Sequence, residues 1–493
     1  MRILAISLLF ICSALQLQAA CLIKGSNGAP AVGPQDPLFQ VLRSESTCPN
    51  RVQDLKKLLE QKGLLTAPAM VANRGRNNPE LGSFSFFESV TGTVSGAHVG
   101  PGEIFFGHFT EVKDHQLALD QVPDKGKLMI ELIAWDASKG YYNFYEMIGT
   151  GGGVQWFYRG DSADILHDNT FVHRDAPAGS PQFGARLRCS ACHSSGGPIM
   201  KELSAPHNDW WSQSRPLEFG SHPPSVEVQK WVSGLIDADQ FSQNVKAGIE
   251  RLEASDRYQN LKKSLSLQER LRPLFCENEI NLESDSIALS DAAASVKVPS
   301  GFLISPMLAE IPLKIKRADY VALLQTHKVS FPESNAPDAD HAWLVPVKGF
   351  SDHRAVQSLV EDGLIDEEFV RDVLAVDYQI PIFSASRCGL LKLVPERVSA
   401  KWQDELVQNL SRSGSAAAEQ LKLNLTSPER NQAWRFARFT KYAQTVKNPA
   451  VLPTLFQKLL LTRQATFSDE ISQNPRGQIL EPGFRVIFPE PHP

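Results

Sequence analysis

"KLMIELIAWDASKGYYNFYEMI", Lys127 to Ile148, carries the pattern that decides the fold. Its first half alternates. Met129, Glu131 and Ile133 fall on one side, with Ile130, Leu132 and Ala134 on the other. Alternation of this kind among apolar, branched and aromatic residues is a strand signal, because successive side chains of a strand point to opposite faces. The short interruption "ASKG" follows, and then the aromatic run "YYNFYEMI". A link this short joins antiparallel strands, since a parallel pair needs a crossover of about a dozen residues or more.

The same reading extends outward. "FSFFESV" (84–90) and "EIFFGHFTEV" (103–112) come before, and "GVQWFYRG" (153–160) comes after. Turn-formers separate them, in "SGAHVGPG", "VPDKG" and "GTGGG". The glycine-rich "GTGGGVQW" leads into a strand rather than a helix, so it lacks the context of a phosphate loop. Further out the period changes. "PLFQVLRSES" and "RVQDLKKLLEQKGLL" have helical spacing, with Leu55, Leu58, Leu59 and Leu64 near one face and Gly63 close to the helix end. From residue 222 onward, amphipathic helical stretches recur in "SVEVQKWVSGLIDADQFSQNVKAGIERLEAS", "LSLQERLRPLF", "DEEFVRDVLAV", "ERNQAWRFARFTKYAQTV" and "LPTLFQKLLLTR". The expected class is α+β, an antiparallel sheet domain followed by a mainly α-helical domain. The divisions expected are 21–80 as a helical lead-in, 81–215 as the β-rich domain, 216–481 as the helical domain and 482–493 as a Pro-containing tail.

Composition bounds the function. The chain has 493 residues, 42% hydrophobic and 21% charged, with a formal charge of −5. That is globular material for two or three domains. No dense basic block is present, which argues against nucleic-acid binding.

Residues 1–20, "MRILAISLLFICSALQLQAA", have the layout of a secretory signal peptide: Arg2, an apolar run from Ile3 to Leu15, then Ala19 and Ala20. The run is short for a membrane span, and no later stretch reaches that length. The expectation is a periplasmic or secreted protein. Cleavage beside Cys21 also raises an N-terminal lipid anchor, as in an outer-membrane lipoprotein, but Gln18 stands where a lipobox normally has Leu. Export means an oxidising compartment. Apart from a CxxC pair, the mature chain keeps Cys21, Cys48, Cys276 and Cys388. Four cysteines allow three connectivities, and proximity in sequence favours Cys21–Cys48 with Cys276–Cys388.

The CxxC pair lies in "RLRCSACHSSGGPIMKEL", Arg186 to Leu203. A structural zinc site needs four ligands, and no second CxxC or HxxxH exists to complete one. A thioredoxin-type disulfide sits where a strand enters a helix, whereas a Pro/Gly-rich loop, "RDAPAGSPQFGAR", precedes this pair. Covalent haem explains Cys189, Cys192 and His193 together. Two thiols at this spacing add across the two vinyl groups of one haem, and the adjacent histidine is carried under the iron as an axial ligand.

"CSACH" resembles the attachment site of c-type cytochromes. That resemblance implies one haem c, held by Cys189 and Cys192 and ligated by His193. The aromatic strands of 81–160 followed by the motif are loosely similar to the cytochrome P-460 and cytochrome c′-beta group. That similarity implies an antiparallel haem-binding sheet, often with an open or exchangeable sixth iron position. The P-460 branch cross-links a lysine to haem. Lys125 and Lys127 lie in this region, but no motif matches either.

The far side of the iron divides the functions. Met200, His173, His207 and Met307 are candidate sixth ligands, and an open site walled by Phe84, Phe86 or Phe87 is the alternative. Arg186 and Arg188 could pair with propionates. Asn208 or Asp209 stands at an N-cap position before Trp210 and Trp211, which could cover a haem edge or pack in the core. "DADH" (338–341) reads as a solvated loop. The leading expectation is electron transfer to a redox partner protein. The alternatives are a haem oxidoreductase acting on peroxide, hydroxylamine or nitric oxide, with Glu88, Glu103, Glu131 or Glu146 as proton donor, and a non-catalytic gas-binding protein.

Overall fold

The computed structural model describes residues 21–25, 28–72, 84–110, 112–113, 116–117, 125, 128–166, 193, 195–199, 210–213, 226, 233–276, 279–283, 294–327 and 345–466. The expected signal peptide, Cys189, Cys192, Met200, His173, His207, Arg186, Arg188, Asn208, Asp209, Lys127, "DADH" and the 482–493 tail lie outside the described residues.

The expected sheet is present. Its seven strands are β1 (Ile23–Lys24), β2 (Leu64–Ala72), β3 (Phe84–Val94), β4 (Ala97–Thr110), β7 (Leu128–Asp136), β8 (Tyr141–Gly149) and β9 (Val154–Asp161), in the spatial order β1-β9-β8-β7-β4-β3-β2. A separate two-residue ladder joins β5 (Val112–Lys113) and β6 (Gln116–Leu117). From β2 to β9 the large sheet is an antiparallel meander, and β1 joins its edge in parallel with β9. The β3–β4 turn uses Ser95 and Gly96, both with positive φ, which suits a tight hairpin between twisted strands.

The alternation read in β7 sorts the sheet into two faces. Ile130, Leu132 and Ala134 pack with α1 (Pro37–Arg43) and α2 (Val52–Gln61). Ile133, with Phe105, Tyr142 and Phe144, packs against α3 (Ala238–Glu253). That helix starts at Asp237, whose side chain caps the amide of Asp239, and it buries Phe241, Val245, Ile249 and Leu252. It lies at backbone contact with β4. A Cβ on Gly102 would fall 2.5 Å from the amide nitrogen of Gly248, so a side chain there would separate helix and sheet. The Tyr142 hydroxyl donates to the carbonyl oxygens of both Gly102 and Gly248 and closes that contact.

The expected divisions do not coincide with these packing units. The 21–80 lead-in supplies β2 as well as α1 and α2, all built into the sheet layer. The boundary at 216 places α3 with the helical domain, yet α3 packs on the sheet, as does Tyr258 of α4 (Asp256–Ser264). A change of period marks a change of secondary structure, whereas packing follows the buried faces.

The helical region proper begins at α5 (Leu267–Phe275). It continues through α6 (Ser300–Leu303), α7 (Arg317–His327), α8 (Phe350–Glu361), α9 (Glu367–Ala375), α10 (Ala385–Cys388), α11 (Trp402–Ser413), α12 (Ala416–Thr426), α13 (Pro428–Val446) and α14 (Leu452–Thr466). Two small antiparallel ladders interrupt it: β10 (Ile280–Glu283) with β13 (Val345–Lys348), and β11 (Ser295–Val298) with β12 (Leu313–Lys316). Its apolar side chains form two clusters, one around α5, α8, α9 and α11 and one around β11, β12 and α14.

Two disulfides are present, Cys21–Cys48 and Cys276–Cys388, the connectivity favoured by sequence proximity. Among the described residues no helix is long and apolar enough to cross a membrane.

Candidate functional site

Strand β9 ends at Asp161, whose Oδ1 accepts from the amides of Ala163 and Asp164 and caps a helical turn over residues 162–166. The next described residue is His193, half-buried against the sheet. Its ring lies 5.3 Å from that of Phe144, tilted by 59°. Phe144 belongs to the sheet face covered by α3.

The loop after His193 folds back on the imidazole. The amide of Gly196 donates to the His193 carbonyl at 2.6 Å, closing a turn, and Gly196 has φ +74°, the left-handed region. His193 Nδ1 then lies 2.7 Å from the carbonyl oxygen of Gly197. A carbonyl only accepts, so Nδ1 carries a ring hydrogen and Nε2 is the nitrogen turned away from this carbonyl. The loop is tied to its surroundings residue by residue. The Tyr258 hydroxyl donates to the Ser195 carbonyl at 2.5 Å, and Ser162 Oγ donates to the Gly196 carbonyl at 2.6 Å. Gly197 is pressed on α3, where an added Cβ would fall 2.5 Å from Leu252 Cδ2.

Beside Phe144 the same face turns polar. Glu146 is two residues further along β8, and Glu131 is directly opposite it on β7. Arg159 is the extra residue of a bulge in β9, since Phe144 pairs with Gly160 while Tyr145 pairs with Tyr158. Bulges re-aim side chains. Here Arg159 Nε donates to Glu146 Oε2 at 2.7 Å, and its guanidinium lies 4.2 Å from the centre of the Phe157 ring. Glu146 is fully buried. Gly107 stands opposite both Phe87 and Glu131 and leaves that row without a side chain at its middle. Trp210 packs over Phe87 at 5.3 Å and stacks on Phe241 at 5.6 Å. The buried Trp210 Nε1 makes no hydrogen bond among the described residues.

The remaining sequence candidates separate clearly. Phe86 stacks on His108 at 5.3 Å, and His108 bonds Glu88 at 3.2 Å. Strand alternation puts Phe86 and Glu88 on the face opposite Phe87, so neither can wall or serve a site beside His193. Lys56 donates to Glu88 at 2.6 Å. Although burial opposes it, the bonds from His108 and Lys56 hold the Glu88 carboxyl below its ordinary range. Burial likewise pushes His108 down, which keeps it neutral. Glu103 is taken by Arg251 at 3.3 Å. Met307 packs in the α5–α9 cluster of the helical region, away from the cluster that holds Phe144. Lys125 is exposed, with its stem against Gly151. Trp210 belongs to the core between sheet and α3, and Trp211 is half-buried.

Metal-bound histidines generally donate their other ring N–H to a carbonyl or carboxylate, which fixes the tautomer and the ring orientation. His193 has that arrangement. The unsatisfied Trp210 N–H and the side-chain gap at Gly107 lie on the same sheet face. Sequence reasoning missed Ser162, Tyr258 and Arg159. "SSGGP" carried a partial signal, because two adjacent glycines after the histidine mark a backbone under close approach. In comparisons with known proteins, no family model, curated protein or solved structure matches the chain.

Proposed function

We propose that the chain is an exported c-type cytochrome that binds one haem through Cys189 and Cys192, uses His193 Nε2 as an axial ligand, and transfers electrons to a redox partner protein. The observation that carries this reading is the 2.7 Å contact of His193 Nδ1 with the Gly197 carbonyl, in a CxxCH sequence. The haem supplies a one-electron iron couple. The chain orients the imidazole, presents its lone pair and keeps the ring against Phe144. The acceptor on Nδ1 is a neutral carbonyl. A carboxylate there would push more electron density toward the metal, so the carbonyl favours electron carriage over oxygen–oxygen bond cleavage.

Two disulfides support an oxidising compartment, periplasmic or extracellular. The sulfur of Cys21 is bonded to Cys48, so a thioether-linked lipid at Cys21 would have to displace that bond. The proposed form is therefore the unanchored protein.

A second reading is a haem enzyme with an open iron position, acting on peroxide, hydroxylamine or nitric oxide. What favours it is the polar patch beside Phe144. Glu146, held by Arg159 at 2.7 Å, and the opposed Glu131 could hold or pass a proton there.

Absorption spectra of the ferric and ferrous protein, with and without carbon monoxide, separate the two. The electron carrier predicts a six-coordinate iron that binds carbon monoxide slowly or not at all. Immediate binding sinks that reading and favours the open site.

A further inference from the structure

The histidine loop is held from outside at two consecutive carbonyls, by side chains from two different elements. Tyr258 reaches the Ser195 carbonyl from α4, and Ser162 reaches the Gly196 carbonyl from the end of β9. Both residues are buried, Tyr258 to 1% exposure and Ser162 to 0%. Both are themselves anchored. Ser162 Oγ accepts from the amide of Tyr142 at 3.0 Å. Helix α4 starts at Ser255, whose Oγ donates to the Gly140 carbonyl in the β7–β8 turn at 2.5 Å. Burial pushes the Tyr258 phenol well above its ordinary value, so it stays a hydrogen-bond donor. Ser195 and Gly196 lie between His193 and Gly197, the two ends of the Nδ1 hydrogen bond. Rotation of either peptide would swing the Gly197 carbonyl relative to the ring.

We propose that Tyr258 and Ser162 are positioning residues for the axial histidine: by pinning the Ser195 and Gly196 carbonyls they fix the imidazole orientation and its Nδ1–H···O bond, and through these the iron–histidine bond. The proposal rests on the haem reading above. Loss of either hydroxyl removes the donor to one of these carbonyls, half-buried at Ser195 and buried at Gly196, and loosens one peptide of the loop. The Nδ1 bond lengthens, the imidazole donates less to the metal, and the ferric state is stabilised less. The midpoint potential then rises and the iron–histidine stretch falls in frequency.

The test uses the full-length, haem-loaded protein with Tyr258→Phe, Ser162→Ala and Ser162→Thr. Tyr442→Phe is the control, since it removes a hydroxyl that donates to the Leu303 carbonyl at 3.2 Å in the helical region. Resonance Raman reads the iron–histidine stretch in the five-coordinate ferrous state formed transiently when light releases the sixth ligand, and redox titration reads the potential. Tyr258→Phe and Ser162→Ala should keep one haem per chain, lower the stretch and raise the potential. Ser162→Thr and Tyr442→Phe should match the parent. If a variant loads haem poorly, amide exchange at Gly196 provides the second measurement, with acceleration of about tenfold expected for one lost buried hydrogen bond. Unchanged stretch, potential and exchange in both Tyr258→Phe and Ser162→Ala overturn the positioning role and leave the haem reading standing. A parent protein without haem overturns the haem reading itself.

Discussion

His193 Nδ1 lies 2.7 Å from the Gly197 carbonyl oxygen, while a Cβ on the same Gly197 would fall 2.5 Å from the Leu252 Cδ2 methyl of α3. The residue that orients the imidazole is thus fixed by packing as well as by hydrogen bonding. Gly197→Ala makes the Leu252 methyl turn aside and should destabilise the fold by about 1 kcal/mol, the low end of overpacking costs. It should also loosen the histidine. Chemical denaturation measures the first effect, and the ferrous haem spectrum measures the second. A stable protein with an unaltered spectrum would mean that Leu252 turns aside without moving the loop.

Arg159 and Glu146 form a buried ion pair at 2.7 Å. Removing Arg159 takes a guanidinium from beside a fully buried carboxylate. Arg159→Met should cost about 3–5 kcal/mol, and the double change Arg159→Met, Glu146→Leu should recover most of it. Urea unfolding of the single and double variants checks this. Equal losses in both would show that the pair acts through its packing and not through its charge.

The two disulfides should differ in weight. Cys21–Cys48 spans 27 residues and Cys276–Cys388 spans 112. The chain-entropy account gives about 3.6 kcal/mol for the shorter loop and about 4.8 kcal/mol for the longer. Replacing Cys276 and Cys388 by serine should lower the unfolding midpoint more than replacing Cys21 and Cys48. The reverse order would point to native-state effects around the shorter loop.

His353, on α8, is pushed down to about 4 by burial, with Lys348 adding to the shift. Its folded value lies below the unfolded value of about 6.5, so the unfolded chain binds the proton more readily between them. The neutral imidazole therefore contributes stability above about pH 6.5 that is lost as pH falls through 4, about 3 kcal/mol in all. His353→Leu should flatten the stability profile over that window. A parallel slope in the variant would assign the acid sensitivity to other groups.

The sheet was legible because alternation in 127–136 and in its neighbours is dictated by two unlike faces, one on α1 and α2 and one on α3. β2 was missed. "LLTAPAMVA" contains Pro68 and follows a helix without a clear break, and its pairing with β3 is a tertiary choice. The place of α3 was equally hidden, since an amphipathic helix shows which stripe it buries but not against what. The CxxCH motif was legible because it is defined by spacing along the chain. The supports of His193 were not, because Ser162 and Tyr258 meet the loop across 34 and 63 residues of sequence.

The most direct measurement is whether haem stays with the chain. The protein should be expressed with export and haem-attachment machinery, extracted with acidified solvent, and examined by denaturing electrophoresis with haem staining and by a pyridine haemochrome spectrum. The account predicts one haem per chain that resists extraction, with the spectrum of two saturated vinyl groups, and loss of attachment in Cys189→Ser with Cys192→Ser. A chain that leaves this host folded, disulfide-bonded and without haem absorbance would contradict it.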